Sequence, residues 1–205
     1  MMTISFNLNY MDLVPFKELF PNGINPSSFI HIYGSEDTGK TSLGLEIAIK
    51  NPDKVFIFID SNYSLNSSDT IPDNIFIISS NKIEDIIDIL NNIPDKSIDG
   101  IIVDGLNNLD SKNNINKKRH IVVEKCILDL LKYTVSKTIM LIAINGVNYK
   151  NEPYCFTHKI SMQCGCNLEI MSTKFNFRNI ELKAKKNKYG PLKKIIFNID
   201  RKLSD

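Results

Sequence analysis

The segment Gly34-Ser35-Glu36-Asp37-Thr38-Gly39-Lys40-Thr41 carries the clearest indication of the fold of this chain. It matches G-x-x-x-x-G-K-[ST], the pattern of a loop that cradles phosphate groups between a strand and a helix. The context agrees, because the mainly apolar run from Phe29 to Tyr33 predicts a buried strand before the loop. Apolar residues spaced along one face from about Gly39 to Lys50 predict a helix after it. These flanking elements favour a phosphate-binding loop over a chance match.

Each part of this loop has a physical task in holding a nucleotide. Glycines let backbone N–H groups turn inward toward phosphate oxygens, and the positive end of the following helix assists them. Lys40 supplies a cation to the β and γ phosphates and is expected to be catalytic, while the Thr41 hydroxyl is expected to hold Mg²⁺. We therefore expect ATP to contact Gly34, Ser35, Glu36, Asp37, Thr38, Gly39, Lys40, Thr41 and Ser42.

A second motif follows about sixty residues later, at Ile101-Ile102-Val103-Asp104. An apolar strand that ends in one carboxylate is common in proteins and indicates little by itself. Downstream of a phosphate loop, it is the arrangement that delivers a carboxylate toward the nucleotide's metal ion. We expect Asp104 to bind Mg²⁺ through water.

Short apolar runs alternate with helical patterns, which predicts an α/β fold with flanking helices and a mostly parallel central sheet. The 205 residues suffice for one well-cored domain, so we predict a single ATP-binding domain over residues 1–205. We predict strands at Phe29–Tyr33, Val55–Ile59, Ile75–Ile78, Gly100–Val103 and Ile139–Ile144, and helices at Gly39–Lys50, Ile83–Leu90 and Ile121–Val135. A polar stretch, Asp110 to Arg119, is expected to be a loop.

The pattern changes after Asn145. Three strand-like runs occupy the carboxyl-terminal part, at Leu168–Phe177, Ile180–Lys185 and Lys194–Ile199. The sequence between them predicts no long helix, so this end of the sheet is expected to be antiparallel.

Charge is distributed unevenly along the chain. Residues 174–205 carry ten basic and three acidic side chains, a net charge of +7, and the preceding 173 residues carry −5. A basic end on an acidic body is typical of a surface that faces nucleic acid. Lysines on an edge strand that prevent aggregation would give the same pattern.

Four cysteines, at 126, 155, 164 and 166, are too few and too unevenly spaced for a disulfide framework, which favours a reducing, cytoplasmic location. Met1 to Tyr10 lacks the basic start and apolar stretch of a secretory signal, and no apolar run is long enough to span a membrane, so we expect neither feature. Cys155, His158, Cys164 and Cys166 could supply zinc ligands, but the spacing is poor for a structural zinc site and small residues in a core are the alternative. Nearby Tyr149, Tyr154 and Phe156 could stack on bases or anchor a loop.

The phosphate loop and its surroundings resemble the RecA recombinases. The loop with its flanks is similar to the family's I-Y-G-P-E-S-S-G-K-T-T-L, and further similar segments follow in the same order from about residue 17 to 200. These segments are Phe20–Asn25, Ile32–Leu43, Phe58–Leu65 (family F-I-D-A-E-H-A-L), Val103–Leu106 (V-D-S-V), Ile144–Gly146 (I-N-Q) and Lys186–Ile199 (K-N-K-x-x-P-F-K, then F-D-I).

The resemblance implies a RecA-like core that binds ATP and single-stranded DNA in recombination or repair. It also implies self-association, with Lys186 and Lys188 reaching the nucleotide of a neighbouring subunit; a lysine-rich exposed hairpin is the alternative. Two departures stand out. Asn62 occupies the position of the family's catalytic glutamate, and Gly146 that of the glutamine that senses the γ-phosphate.

An amide cannot accept a proton from the attacking water as a carboxylate does, so any DNA-dependent ATPase activity is expected to be slow. The departures favour a second possibility, a RecA-like protein that binds ATP with little hydrolysis and serves as a structural or regulatory partner. Hexameric helicases of the DnaB type share the phosphate loop and a K-x-x-x-G-P segment, and they are a further alternative.

Overall fold

A computed structural model describes residues 11, 13, 16–65, 71–94, 98–109, 119–147, 166–172, 179–188 and 190–198. In these ranges the strands are β1 (Phe29–Tyr33), β2 (Phe56–Asp60), β3 (Ile75–Ile78), β4 (Gly100–Asp104), β5 (Met140–Asn145), β6 (Cys166–Ser172), β7 (Asn179–Asn187) and β8 (Lys194–Asn198). The α-helices are α1 (Lys40–Ile49), α2 (Ile83–Asn91) and α3 (Arg119–Lys137), and short 3₁₀ helices lie at Phe16–Glu18 and Leu106–Asn108.

The strands form one sheet in the order β3-β2-β4-β5-β1-β6-β7-β8. All pairings from β3 to β6 are parallel, and the β6–β7 and β7–β8 pairings are antiparallel. The predicted α/β class, with a mostly parallel sheet and antiparallel final strands, is therefore confirmed. β6 belongs to both parts, because its pairing with β1 is parallel. The twenty residues between β5 and β6 are long enough for the crossover that a parallel pairing requires.

Two apolar cores cover the two faces of the sheet. One contains Leu43 and Ile47 of α1 together with Phe58 and Ile102 of the sheet. Helix α1 lies close to the strands at Gly44, where an added Cβ would be 2.7 Å from the Ile144 side chain. A larger residue there would require the Ile144 side chain or the helix to move. The other core joins α2 and α3 to the opposite face through residues such as Leu90, Ile127, Ile59 and Val103.

The predicted strands and helices agree with the structure to within one or two residues at most ends. Helix α3 begins at Arg119, inside the stretch predicted as a loop, and residues 110–118 lie outside the described part of the chain. The end of the predicted Leu168–Phe177 strand also lies outside it, and β6 ends at Ser172. None of the described helices is long and apolar enough to cross a membrane.

Candidate functional site

The loop between β1 and α1 has the conformation that its glycines allow. Gly39 immediately precedes α1 and has a φ of 80°, and Asp37 also has a positive φ of 56°. The N–H of Gly34 donates to the carbonyl of Asn145, 3.3 Å away, which joins the start of the loop to the end of β5. The loop is thus held at the carboxyl edge of the parallel strands, where α/β sheets bind their ligands.

Lys40 folds back over this loop. Its Nζ donates to the carbonyl of Ser35 and lies 3.5 Å from Oγ1 of Thr38, which itself donates to the same carbonyl at 2.9 Å. Burial lowers the pKa of Lys40, and the carboxylates of Asp104, Asp37 and Glu36 act in the opposite direction. The Lys40 side chain therefore concentrates positive charge inside the loop.

Thr41 and Asp104 connect the two predicted motifs. The Thr41 hydroxyl donates to Oδ2 of Asp104 at 2.5 Å, although 63 positions separate the two residues in sequence. Asp104 is only 2% exposed, and its pKa is raised to about 6, chiefly by burial and further by the nearby charge of Asp60. The hydrogen bond from Thr41 and the charge of Lys40 lower that pKa. A hydroxyl and a carboxylate side by side at this edge form the oxygen donor set that Mg²⁺ prefers.

Asp60, one strand away, anchors the turn that follows β2. Its Oδ1 accepts hydrogen bonds from the N–H and the hydroxyl of Ser64 at 3.0 and 3.1 Å, and its Oδ2 accepts one from the N–H of Leu65 at 3.0 Å. Both oxygens are thus committed to local contacts, and the residue is only 1% exposed. This arrangement argues against Asp60 as the base that would replace the missing glutamate.

Ser61 ties the ends of β2 and β4 together. Its hydroxyl lies 2.7 and 2.6 Å from the carbonyls of Asp104 and Gly105, and its N–H donates to the Asp104 carbonyl at 3.1 Å. The sequence does not single out this serine, because its partners lie more than forty positions away. Its contacts hold the backbone of Asp104 in place beside Thr41.

Asn62 lies at the same edge and belongs to a chain of amides. Its Oδ1 accepts a hydrogen bond from Nδ2 of Asn108, and Oδ1 of Asn108 accepts one from Nδ2 of Asn107 at 3.1 Å. The Asn62 side chain also lies directly against Gly105, the residue after Asp104. The position that resembles the family's catalytic glutamate therefore adjoins the predicted metal site. Its acceptor oxygen already has a donor, and the sequence gives no sign of that donor.

Lys186 and Lys188 do not lie at the carboxyl edge that carries the phosphate loop of their own chain. Lys186 of β7 is paired with Asn167, which is level with His31 in the middle of β1. From there β7 runs toward the amino-terminal edge of the parallel strands, and Asn187 is held there by a 3.0 Å hydrogen bond to the Leu19 carbonyl. A contact between Lys188 and a nucleotide would thus involve the nucleotide of another subunit, as the resemblance implies.

Several of the predicted zinc-ligand and base-stacking residues lie outside the described part of the chain. Cys155, His158, Cys164 and the aromatic residues at 149, 154 and 156 lie outside the described residues, and Cys166 is the first residue of β6. Gly146 follows β5, and its N–H donates to Oδ1 of Asn145 at 2.9 Å. Within the described part of the chain, no group of three or more His, Cys, Asp or Glu residues is arranged to hold a metal ion.

No protein-family model matches this chain, and no curated protein matches it. The likeness to RecA recombinases therefore depends on the motifs quoted above. A function has to be inferred from the site itself.

Proposed function

We propose that this chain is a RecA-like P-loop protein that binds ATP with Mg²⁺, hydrolyses it very slowly and acts as a structural or regulatory partner. The observation that carries this proposal is the 2.5 Å contact between the Thr41 hydroxyl and the Asp104 carboxylate beside Lys40. Two motifs more than sixty residues apart are brought together by this contact at the start of one helix. That is the arrangement that a nucleoside triphosphate and its metal ion require.

The residues present fit Mg²⁺-ATP. Backbone N–H groups at the start of α1 would face phosphate oxygens, and Lys40 would exchange its contact with the Ser35 carbonyl for the phosphates. Thr41 would bind the metal ion directly, and Asp104 would bind it through water. When bound, Mg²⁺ neutralises part of the phosphate charge.

Slow hydrolysis is expected because Asp104 and Asp60, the carboxylates at the ends of β4 and β2, already have other partners. Asp104 is committed to Thr41 and the metal position, and Asp60 to Ser64 and Leu65. Asn62 has an amide that accepts from Asn108 and cannot act as a general base. Glu36 and Asp37 are exposed residues of the loop itself, and Glu36 is the first of these two carboxylates to test.

A titration with ATP, with and without Mg²⁺, tests this proposal on the parent and on Thr41→Val. Valine keeps the shape of threonine but lacks the hydroxyl, so we expect Mg²⁺ to tighten ATP binding to the parent and to have a much smaller effect on the variant. Thr38→Val is a matched control, because that hydroxyl donates to Ser35 and not to Asp104. Equal Mg²⁺ dependence in the parent and Thr41→Val would contradict the proposed metal site.

A second candidate function is an ATP-dependent, single-stranded-DNA-binding protein of recombination or repair. The observation that favours it is the set of exposed lysines on β7, β8 and the turn between them: Lys183, Lys185, Lys188, Lys193 and Lys194. Phosphate contacts of this kind are electrostatic, so binding should weaken steeply as salt is raised.

Fluorescence anisotropy with a labelled single-stranded oligonucleotide, over a series of salt concentrations, distinguishes the two functions. DNA binding by this surface predicts that Lys183→Ala/Lys193→Ala weakens affinity and flattens the salt dependence, while Lys82→Ala on the amino-terminal side of α2 does not. If the parent does not bind DNA in the presence of ATP, the remaining proposal is that it is an ATP-binding protein that acts as a structural or regulatory partner.

A further inference from the structure

Both edges of the sheet expose large apolar side chains. Among the described residues, β3 pairs only with β2 and β8 pairs only with β7. Phe76 in β3 is 59% exposed and Ile196 in β8 is 67% exposed. An edge strand with unpaired backbone groups and exposed apolar residues is a template for pairing with another strand.

The two edge strands have the same direction and present matching faces. β3 is parallel to the central strands, and β8 is antiparallel to β7, which is itself antiparallel to β6, so β3 and β8 run the same way. Ile75 and Ile195 both pack into the core on the α1 face. Because side chains alternate along a strand, Phe76 and Ile196 both lie on the opposite face. If β8 of one molecule lay beside β3 of another, these two side chains would meet.

One register aligns charges as well as apolar residues. Parallel pairing of Ile196 with Phe76 places Ile195 beside Ile75 and Lys193 beside Asp73. Both Lys193 and Asp73 are exposed. The charge around each edge extends this match. Helix α2, which follows β3 in the chain, carries exposed acidic residues (Glu84, Asp85 and Asp88), and exposed lysines lie on β7 and just before β8 (Lys183, Lys185 and Lys193).

We infer that β8 of one copy of this chain pairs in parallel with β3 of a second copy, so that the sheet continues from molecule to molecule. The contact joins two different surfaces, and it therefore builds an open chain or a closed ring. It needs no nucleotide, and in this respect it goes beyond the function proposed above. Lysines beside β8 would disfavour pairing with other edges, and only an edge flanked by acidic residues would accept them.

Sedimentation velocity over a range of protein concentrations, without nucleotide, tests this inference. The parent should associate as its concentration rises. Phe76→Thr and Ile196→Thr should each weaken association by about tenfold or more, as is common for apolar residues at the centre of an interface. Ile121→Thr is the matched control, since Ile121 is 68% exposed on α3, away from both edges. Circular dichroism melting curves establish that each variant is folded.

Mixing experiments test the head-to-tail geometry. Phe76→Thr retains an intact β8 edge and Ile196→Thr an intact β3 edge, so their mixture should form dimers and stop there. Asp73→Lys and Lys193→Asp should each be monomeric alone and should associate when mixed, because opposite charges face each other again at both contacts. A parent that stays monomeric at every concentration would overturn the inference, and so would mixtures that stay monomeric or edge variants that associate like Ile121→Thr.

Discussion

The carboxyl edge of the parallel strands and the β7–β8 hairpin differ in the burial of their polar side chains. Strands β1, β2, β4 and β5 are buried at every position, and even their polar ends, Asp60, Asp104 and Asn145, are at most 2% exposed. In the hairpin, buried residues such as Leu182 and Ala184 alternate with exposed lysines. The strand ends at the carboxyl edge bury their polar side chains and position them by internal contacts, whereas the hairpin exposes its lysines to solvent.

This difference indicates what each region can bind. Polar side chains fixed in a buried setting suit a small ligand that needs defined geometry, because the cost of ordering them is met during folding. Exposed lysines suit a large charged surface, where salt-sensitive attraction counts for more than geometry. Under the functions proposed above, the nucleotide would bind at the carboxyl edge, and DNA or a second subunit would bind at the hairpin and the outer strands.

The largest expected effect comes from placing a carboxylate at position 62, where RecA recombinases have their catalytic glutamate. Asn62→Glu places a carboxylate beside Asp104 and within reach of the Asn108 amide, which would donate to it. General-base assistance is typically worth about 10² to 10⁴ in rate, so steady-state ATP turnover should rise within that range. Asn62→Gln, an amide of the same length as glutamate, should stay as slow as the parent. Rapid hydrolysis by the parent would show that another base exists, and Glu36→Gln would then test one of the two exposed carboxylates of the loop.

The sequence predicts the strands of both regions, but it does not predict the polar contacts at the carboxyl edge, for a physical reason. Short continuous apolar runs rich in β-branched and aromatic residues, such as Phe56–Ile59 and Ile101–Val103, are typical of buried strands, and the phosphate-loop motif indicates which edge carries the site. Contacts between distant polar residues leave no local pattern. The Asn62–Asn108 pair and the hydrogen bonds of Ser61 to the end of β4 therefore emerge only from the structure.

A matched pair of truncations sharpens the comparison between the two regions. Leu141 in β5 is 1% exposed and Leu192 before β8 is 67% exposed. Leu141→Ala leaves a cavity and should lower the free energy of unfolding by about 2 to 5 kcal/mol. Leu192→Ala should change it by less than about 0.5 kcal/mol. Urea denaturation of both variants measures this, and equal losses would mean that the hairpin is packed as tightly as the parallel strands.

The Asp104→Asn variant tests how much the buried Asp104 carboxylate lowers the free energy of unfolding. The pKa of Asp104 is raised from 3.8 to about 6, so its protonated form is favoured in the folded chain, and stability is lost as pH rises from about 4 to 6. Asparagine does not ionise. We expect it to be about equal to the parent near pH 3.5 and more stable at pH 8 by roughly 2 to 3 kcal/mol.

Urea unfolding in the presence of EDTA, at a series of pH values, measures this difference. Burial lowers the pKa of His31 to about 3, which makes the fold less stable in acid. Because this residue titrates in both proteins, its effect cancels in the comparison. A constant difference between parent and variant across this pH range would contradict the raised pKa.

The smallest expected effect concerns Lys186 and Lys188. If they reach a neighbour's nucleotide, Lys186→Ala/Lys188→Ala should weaken association severalfold with a non-hydrolysable ATP analogue and have little effect without it, because a ligand can shift assembly only by its differential affinity. Sedimentation velocity with and without the analogue measures this. Equal association of parent and double variant would identify the lysines as a solvated edge.

Calorimetric titration of ATP and Mg²⁺ into the parent and Lys40→Ala measures whether the loop from Gly34 to Thr41 binds ATP. Lys40 contributes the cation inside the loop, so its removal should weaken ATP binding by tenfold or more, which corresponds to about 1.4 kcal/mol or more. Lys54→Ala is a suitable control, because Lys54 pairs with Asp53 away from the loop and should leave the affinity unchanged. Equal ATP affinity in Lys40→Ala and the parent, or no binding by the parent at all, would contradict the account.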